Sequence, residues 1–170
     1  MSGKEKQFQS GKSIDIGFTR RRLLAGAALM ALSRSSPALA ASRPKITIYK
    51  NASCDCCQKW ADHLLAAGFE TELIDRGALT ALKTEWKIPS KLHACHTGKI
   101  DSYVIEGHVP ASAIKRLLAE RPQAIGLAVP GMPIGSPGME GGQAETYDVI
   151  VFGRGFERSF ARYKGSDAVL

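Results

Sequence analysis

Three thiols fall within four residues, Cys54-Asp55-Cys56-Cys57, and a fourth, Cys95, stands between imidazoles in His93-Ala94-Cys95-His96. Thiolate is the nucleophilic and metal-ligating form of cysteine, so thiols at this density point to redox or metal chemistry. Several readings fit these residue types. Two structural disulfides would use all four cysteines, an even number suited to an oxidising compartment. Against that, clustered cysteines close no long loop. Three thiols this close are also expected not to pair among themselves without strain, because disulfide geometry is narrow. A thiol oxidoreductase would use the C-x-x-C of Cys54 and Cys57. Structural zinc takes four cysteines, or three with a histidine, usually from two separated pairs. Copper accepts thiolate, thioether and imidazole together and is the preferred reading, with Cu(I) favoured and zinc as the alternative. The spacings match neither common ferredoxin pattern of an iron–sulfur cluster.

Further donors lie downstream. His96 adjoins Cys95, and His108 follows Gly107 just before a helix, where it could equally cap backbone groups. Met132 and Met139 sit seven residues apart between glycines and prolines, poor context for the gap-filling core role that methionine usually has. These four residues join Cys54, Cys56, Cys57 and Cys95 as metal-ligand candidates. His93 is a weaker one. His63 is expected to face solvent on its helix, and Trp60 to pack in the core.

The elements that must position these donors can be read from periodicity. Lys45 to Tyr49 alternates and is β-branched, which predicts a strand. A helix follows from about Cys56 to Ala67, with Trp60, Leu64 and Ala67 on one face and Gly68 as its stop. The backbone N–H groups and positive dipole of its first turn favour thiolates there. Glu70–Asp75 reads as a second strand, Leu79–Trp86 as a short helix ended by Pro89, and residues 93–99 as a polar loop. Tyr103–Ile105 is a third strand, and Pro110 opens a third helix carrying Ile114, Leu117 and Leu118. Residues 126–142 form a Gly/Pro-rich loop, and Tyr147–Phe152 a fourth strand. The β-α-β-α-β-α-β order, with cysteines at the first strand-to-helix junction, predicts a thioredoxin-like α/β sandwich over residues 41–164 and a frayed tail over 165–170.

Residues 1–40 read as an address. Thr19-Arg20-Arg21-Arg22 before the ten apolar residues Leu23–Leu32 resembles a twin-arginine export signal, and Ala38-Leu39-Ala40 fits a cleavage site after Ala40. Ten residues of helix span about 15 Å, half of a hydrocarbon core of about 30 Å, so a stable membrane anchor is not expected. The periplasm is the expected destination and the twin-arginine translocase a transient partner. The net charge of +7 mostly belongs to this leader, which holds seven Lys/Arg against two acidic residues and leaves 16 basic against 14 acidic in the remainder. A nucleic-acid-binding surface therefore has little support.

The longer motifs carry a resemblance. Cys54–Trp60 (CDCCQKW), Cys95–Gly98 (CHTG), Gly107–Pro110 (GHVP) and Gly126–Glu140 (GLAVPGMPIGSPGME) resemble the domain of unknown function 411 family of CopG-like periplasmic copper-resistance proteins. The resemblance covers about residues 46–163; Ala94 stands where that family usually has serine. It implies a thioredoxin-like fold and copper at the cysteine cluster, with Cys54, Cys56, Cys57 and Cys95 as ligands and His96, His108, Met132 and Met139 in support. The expected function is copper tolerance by sequestration or redox cycling, alongside other periplasmic copper-handling proteins. The alternative is a thiol–disulfide oxidoreductase using Cys54 and Cys57. The family resemblance does not itself establish an enzyme.

Overall fold

A computed structural model describes residues 42–169; the expected leader and its cleavage site lie outside them. Ile46 and Ile48 alternate with half-exposed residues along β1 (Lys45–Lys50) and are fully buried, as a strand with one core face requires. The chain then turns into α1 (Asp55–Ala66), whose inward stripe is Cys57, Trp60, Ala61 and Leu64. That i, i+3, i+4, i+7 spacing is the helical period, so the cysteine cluster begins where the apolar stripe begins. Gly68, at φ +93°, ends the helix. Its N–H donates to Leu65 and that of Phe69 to Leu64, the paired bonds of a left-handed helix stop.

The remaining elements are β2 (Glu70–Asp75), α2 (Leu79–Glu85), a 3-10 turn (Ser90–Leu92), β3 (Thr97–Ile100), β4 (Tyr103–Glu106), α3 (Ala111–Glu120), β5 (Gly126–Ala128), β6 (Thr146–Gly153), β7 (Phe156–Lys164) and β8 (Asp167–Val169). They form one eight-stranded sheet in the order β2-β1-β3-β4-β5-β6-β7-β8. β1 pairs parallel with β2 and β4 with β5; every other neighbour is antiparallel. Alternate residues of the central strands face opposite sides. Ile105, Leu127, Val149 and Val151 join α1 and α3 in the larger core, whereas Val104, Ala128 and Phe152 meet Ile88 and Leu92 beyond α2. Among the described residues no helix is long and apolar enough to cross a membrane.

The three helices and the four expected strands are present. Four further strands are not what the sequence suggests. Residues 97–99, expected in a polar loop, belong to the strand β3 between β1 and β4. Its Gly98 is tolerated because a Cβ there would lie 2.8 Å from the Ile46 side chain. Gly126–Ala128 pairs with β4 and β6 rather than belonging to the Gly/Pro loop. β7 is hidden by a bulge. Val149 faces Ala161 while Ile150 faces Ser159, so buried Phe160 and Tyr163 fall three apart and break the two-residue period. Within the expected frayed tail, a turn at residues 165–166 leads into β8, paired with β7.

Candidate metal centre

The turn after β1 delivers Cys54 to the cap position of α1, where its N–H donates to Asn51 O at 3.0 Å. Cys57, one turn on, lies on the same face, and the two are joined as a disulfide with Cα atoms 5.4 Å apart. This corrects the expectation that the clustered thiols would not pair among themselves. A separation of three residues in a helical turn brings two Cα atoms within the usual disulfide range, and the adjacency of Cys56 and Cys57 is no obstacle because Cys56 stays out of the bond. Cys57 is buried; Cys54, Cys56 and Cys95 are half-buried.

Cys95 arrives from the loop before β3. Its sulfur lies 3.7 Å from that of Cys56, which in turn lies 3.5 Å from that of Cys54. All four sulfurs are within 4.8 Å of one another. A second donor set shares Cys95 with His96 and His108, again with ligand atoms within 4.8 Å. His96 Nδ1 is 3.2 Å and His108 Nε2 3.3 Å from the Cys95 sulfur.

The hydrogen bonds fix how these rings are used. His108 Nδ1 lies 2.8 Å from Pro137 O and must donate to it, leaving Nε2 with its lone pair toward Cys95. The Cys95 sulfur is within hydrogen-bond distance of His108 Nε2, His96 Nδ1 and the Cys56 sulfur, and its single S–H can serve only one of them. His96 Nε2 is fully buried and without a partner. The ring is wedged between Trp60, at 4.4 Å between centroids, and the edge of His108, at 4.9 Å. Burial holds both imidazoles below the usual histidine range, His96 well below, with neighbouring His108 and Lys83 adding to the effect there. Two neutral rings beside a thiol are competent metal donors. Burial, then the neighbouring Cys56, pushes the Cys95 thiol up to about 12, so at neutral pH it is a thiol in the metal-free chain.

The Gly/Pro loop closes the other side. Gly138, at φ +89°, packs against the first turns of α1 and against His108. A Cβ there would lie 2.7 Å from Cys56 O, 2.9 Å from Trp60 N and 3.2 Å from His108 Nδ1. Only glycine allows that approach. Met139, the next residue, is half-buried, whereas Met132 is 54% exposed.

Two other histidines are placed outside both donor sets. His93 Nε2 bonds Ile88 O at 3.1 Å. His63, expected in solvent, is half-buried, and its Nε2 accepts from Ala111 N at 3.2 Å, capping α3. Sequence reasoning also missed a buried ion pair, Lys83 with Glu106, directly behind the Cys95 loop. Its only signals were a lysine on the buried stripe Leu79-Leu82-Lys83 of α2 and a glutamate closing the otherwise apolar Tyr103-Val104-Ile105.

The model of the family described as a protein of unknown function, DUF411, matches residues 92–139. Two solved structures are similar, both of a copper resistance protein copG. Form 2 is 41% identical at a TM-score of 0.68, covering 71% of this chain and 98% of that one. Form 1 is 41% identical at a TM-score of 0.68, covering 72% and 99%. No curated protein sequence matches the chain. At 41% identity, with nearly the whole of those structures matched, the chain belongs to the DUF411 family of copG-like copper-resistance proteins.

Proposed function

We propose that the chain is an exported copper-binding protein that, with the Cys54–Cys57 disulfide reduced, carries Cu(I) on Cys54, Cys56, Cys57 and Cys95, with His96 and His108 as imidazole donors. The observation that carries this reading is the convergence of four sulfurs within 4.8 Å, with two uncharged imidazoles on that of Cys95. Soft thiolates and imidazoles suit copper, and the buried, unpartnered Nε2 of His96 is a donor with nothing else to satisfy it. Zinc is the alternative ion. Met132 and Met139 are the thioether candidates, Met139 the better placed through its neighbour Gly138. The reading extends to a thioredoxin-like fold, supported by the β2-β1-β3-β4 order with β1 and β2 parallel and β3 and β4 antiparallel. It also extends to periplasmic copper tolerance through sequestration or redox cycling, supported by the names of the solved relatives.

Four thiolates and two imidazoles exceed what one Cu(I) needs, so the site holds more than one ion. Chelator competition on the reduced, anaerobically loaded chain measures the stoichiometry. One ion per chain, unchanged by Cys56→Ser, would leave a mononuclear site. Metal analysis of protein isolated from its native compartment separates copper from zinc. For export, replacing Arg20 and Arg21 by Lys should retain precursor in the cytoplasm, and the mature N-terminus should be Ala41.

A second reading, a thiol–disulfide oxidoreductase, is favoured by one observation, the Cys54–Cys57 disulfide at a helix N-terminus. It requires turnover of a disulfide substrate that Cys54→Ser or Cys57→Ser abolishes and Cys95→Ser spares. The copper reading requires all three variants to impair metal binding.

A further inference from the structure

We propose that Lys83 and Glu106 are a positioning pair, holding Cys95 within reach of Cys56 by clamping both backbone groups of Ala94. The pair joins α2 to the end of β4, and its side chains are almost wholly buried. Glu106 Oε1 accepts from Lys83 Nζ and from Ala94 N at 2.6 Å, and Oε2 accepts from Thr97 Oγ1 at 2.7 Å. Lys83 Nζ also donates to Ala94 O at 2.7 Å. Ala94 therefore has its N–H on the carboxylate and its C=O on the ammonium. On the other side of Cys95, His96 O accepts from Gly107 N at 3.1 Å, and Gly107 directly follows Glu106. The cysteine is suspended between two anchors that both lead to the end of β4.

Stability does not account for such a pair. Removing two charges from water costs more than their attraction commonly returns, and apolar residues of similar size often serve as well or better. What an apolar replacement cannot do is bond the backbone of Ala94. The loop borders an open cleft of about 390 Å³ lined by Asn51, Thr80, Lys83, His93 and Cys95 itself, so packing alone does not fix it. A ligand on a loop needs such supporting bonds to keep its geometry. The inference rests on the copper reading only where metal binding is the readout.

The test is the double substitution Lys83→Met with Glu106→Leu, which leaves no orphaned charge. In a chain also carrying Cys54→Ser and Cys57→Ser, diamide oxidises the two remaining thiols. A bond forms between Cys56 Sγ and Cys95 Sγ, and two electrons and two protons pass to the diamide N=N, giving the hydrazine. With the loop released, cross-linking should slow by about tenfold or more, because proximity sets its rate. The melting temperature should hold. In the chain with all four cysteines, the double substitution should weaken Cu(I) binding, and adding Cys95→Ser should then cost little more, the non-additivity of residues that act as one unit. If the parent chain binds no Cu(I), the copper reading fails and the cross-linking rate alone decides the positioning role. If the double variant does not fold, Thr97→Val, which removes one bond to Glu106 and no charge, is read in the same assay. An unchanged rate in a folded variant overturns the proposal. So does an equal slowing in Leu117→Ala, a core change on α3 remote from the loop.

Discussion

Cys56 and Cys95, 39 positions apart in the chain, hold their sulfurs 3.7 Å apart. Neither is in the disulfide, so in the oxidised chain they are the two free thiols. One comes from the first turn of α1 and the other from the loop clamped to β4, and each touches a different part of the donor set. Cys56 reaches Cys54, and Cys95 reaches both imidazoles. Cys95 is thus the only residue common to the two donor sets found among the described residues.

That position makes Cys95 the most costly single loss. Cys95→Ser should weaken Cu(I) binding by about tenfold or more, or about 1.4 kcal/mol, since it removes the donor that links thiolates to imidazoles. Chelator competition on the reduced variant reads this directly. His93→Ala should leave affinity unchanged, because that ring is engaged with Ile88 O.

Metal capacity should depend on the redox state of the Cys54–Cys57 pair. Thiol titration of the denatured, unreduced chain should find two free thiols, those of Cys56 and Cys95, and reduction should reveal two more. Only the reduced chain presents four thiolates, so its Cu(I) stoichiometry should exceed that of the oxidised chain. Equal stoichiometry in the two states would remove Cys54 and Cys57 from the ligand set.

Gly138→Ala should loosen the site from outside. The new Cβ meets Cys56 O at 2.7 Å, and the backbone sits at φ +89°, so the loop must withdraw from α1. Left-handed strain of this kind costs about 1–3 kcal/mol. Thermal unfolding should register that loss. Copper affinity should fall in the same variant, because the His108–Pro137 bond lies one residue from the displaced position.

Stability of the metal-free, reduced chain should fall as pH drops below about 6.5, the ordinary histidine value. Burial holds the folded-state value of His63 below that of the unfolded chain, with Glu140 partly opposing. Between the two values the unfolded chain binds more protons, so stability rises with pH through the window and is lost as pH falls through it. The physical event is protonation of Nε2, which then cannot accept from Ala111 N at the start of α3. His63→Gln keeps an acceptor and removes the titration. Its melting temperature should depend less steeply on pH, the remaining slope coming from His96 and His108, which are also held low.

The sequence by itself determined the chemistry and the local frame. Three thiols in four residues at a strand-to-helix junction name the donor type, and the stripe Cys57, Trp60, Ala61, Leu64 sets which way the helix presents them. Those are near-neighbour properties, fixed by a period of 3.6 residues. β3 and β5 were not legible, because Thr97-Gly98 and Gly126 carry no strand pattern. They are strands only because neighbours on both sides bond them. The capping role of His63 and the Lys83–Glu106 clamp were likewise illegible, since each joins residues 48 and 23 positions apart. The resemblance of the motifs named Cys95 as a partner of the cluster, but the tertiary structure decided where it stands. Pairing β3 between β1 and β4 carries the loop before it to the first turn of α1, and the ion pair behind Ala94 bonds its backbone there. No spacing in the chain encodes that distance, because it is set by bonds between strands and not by the steps along one of them.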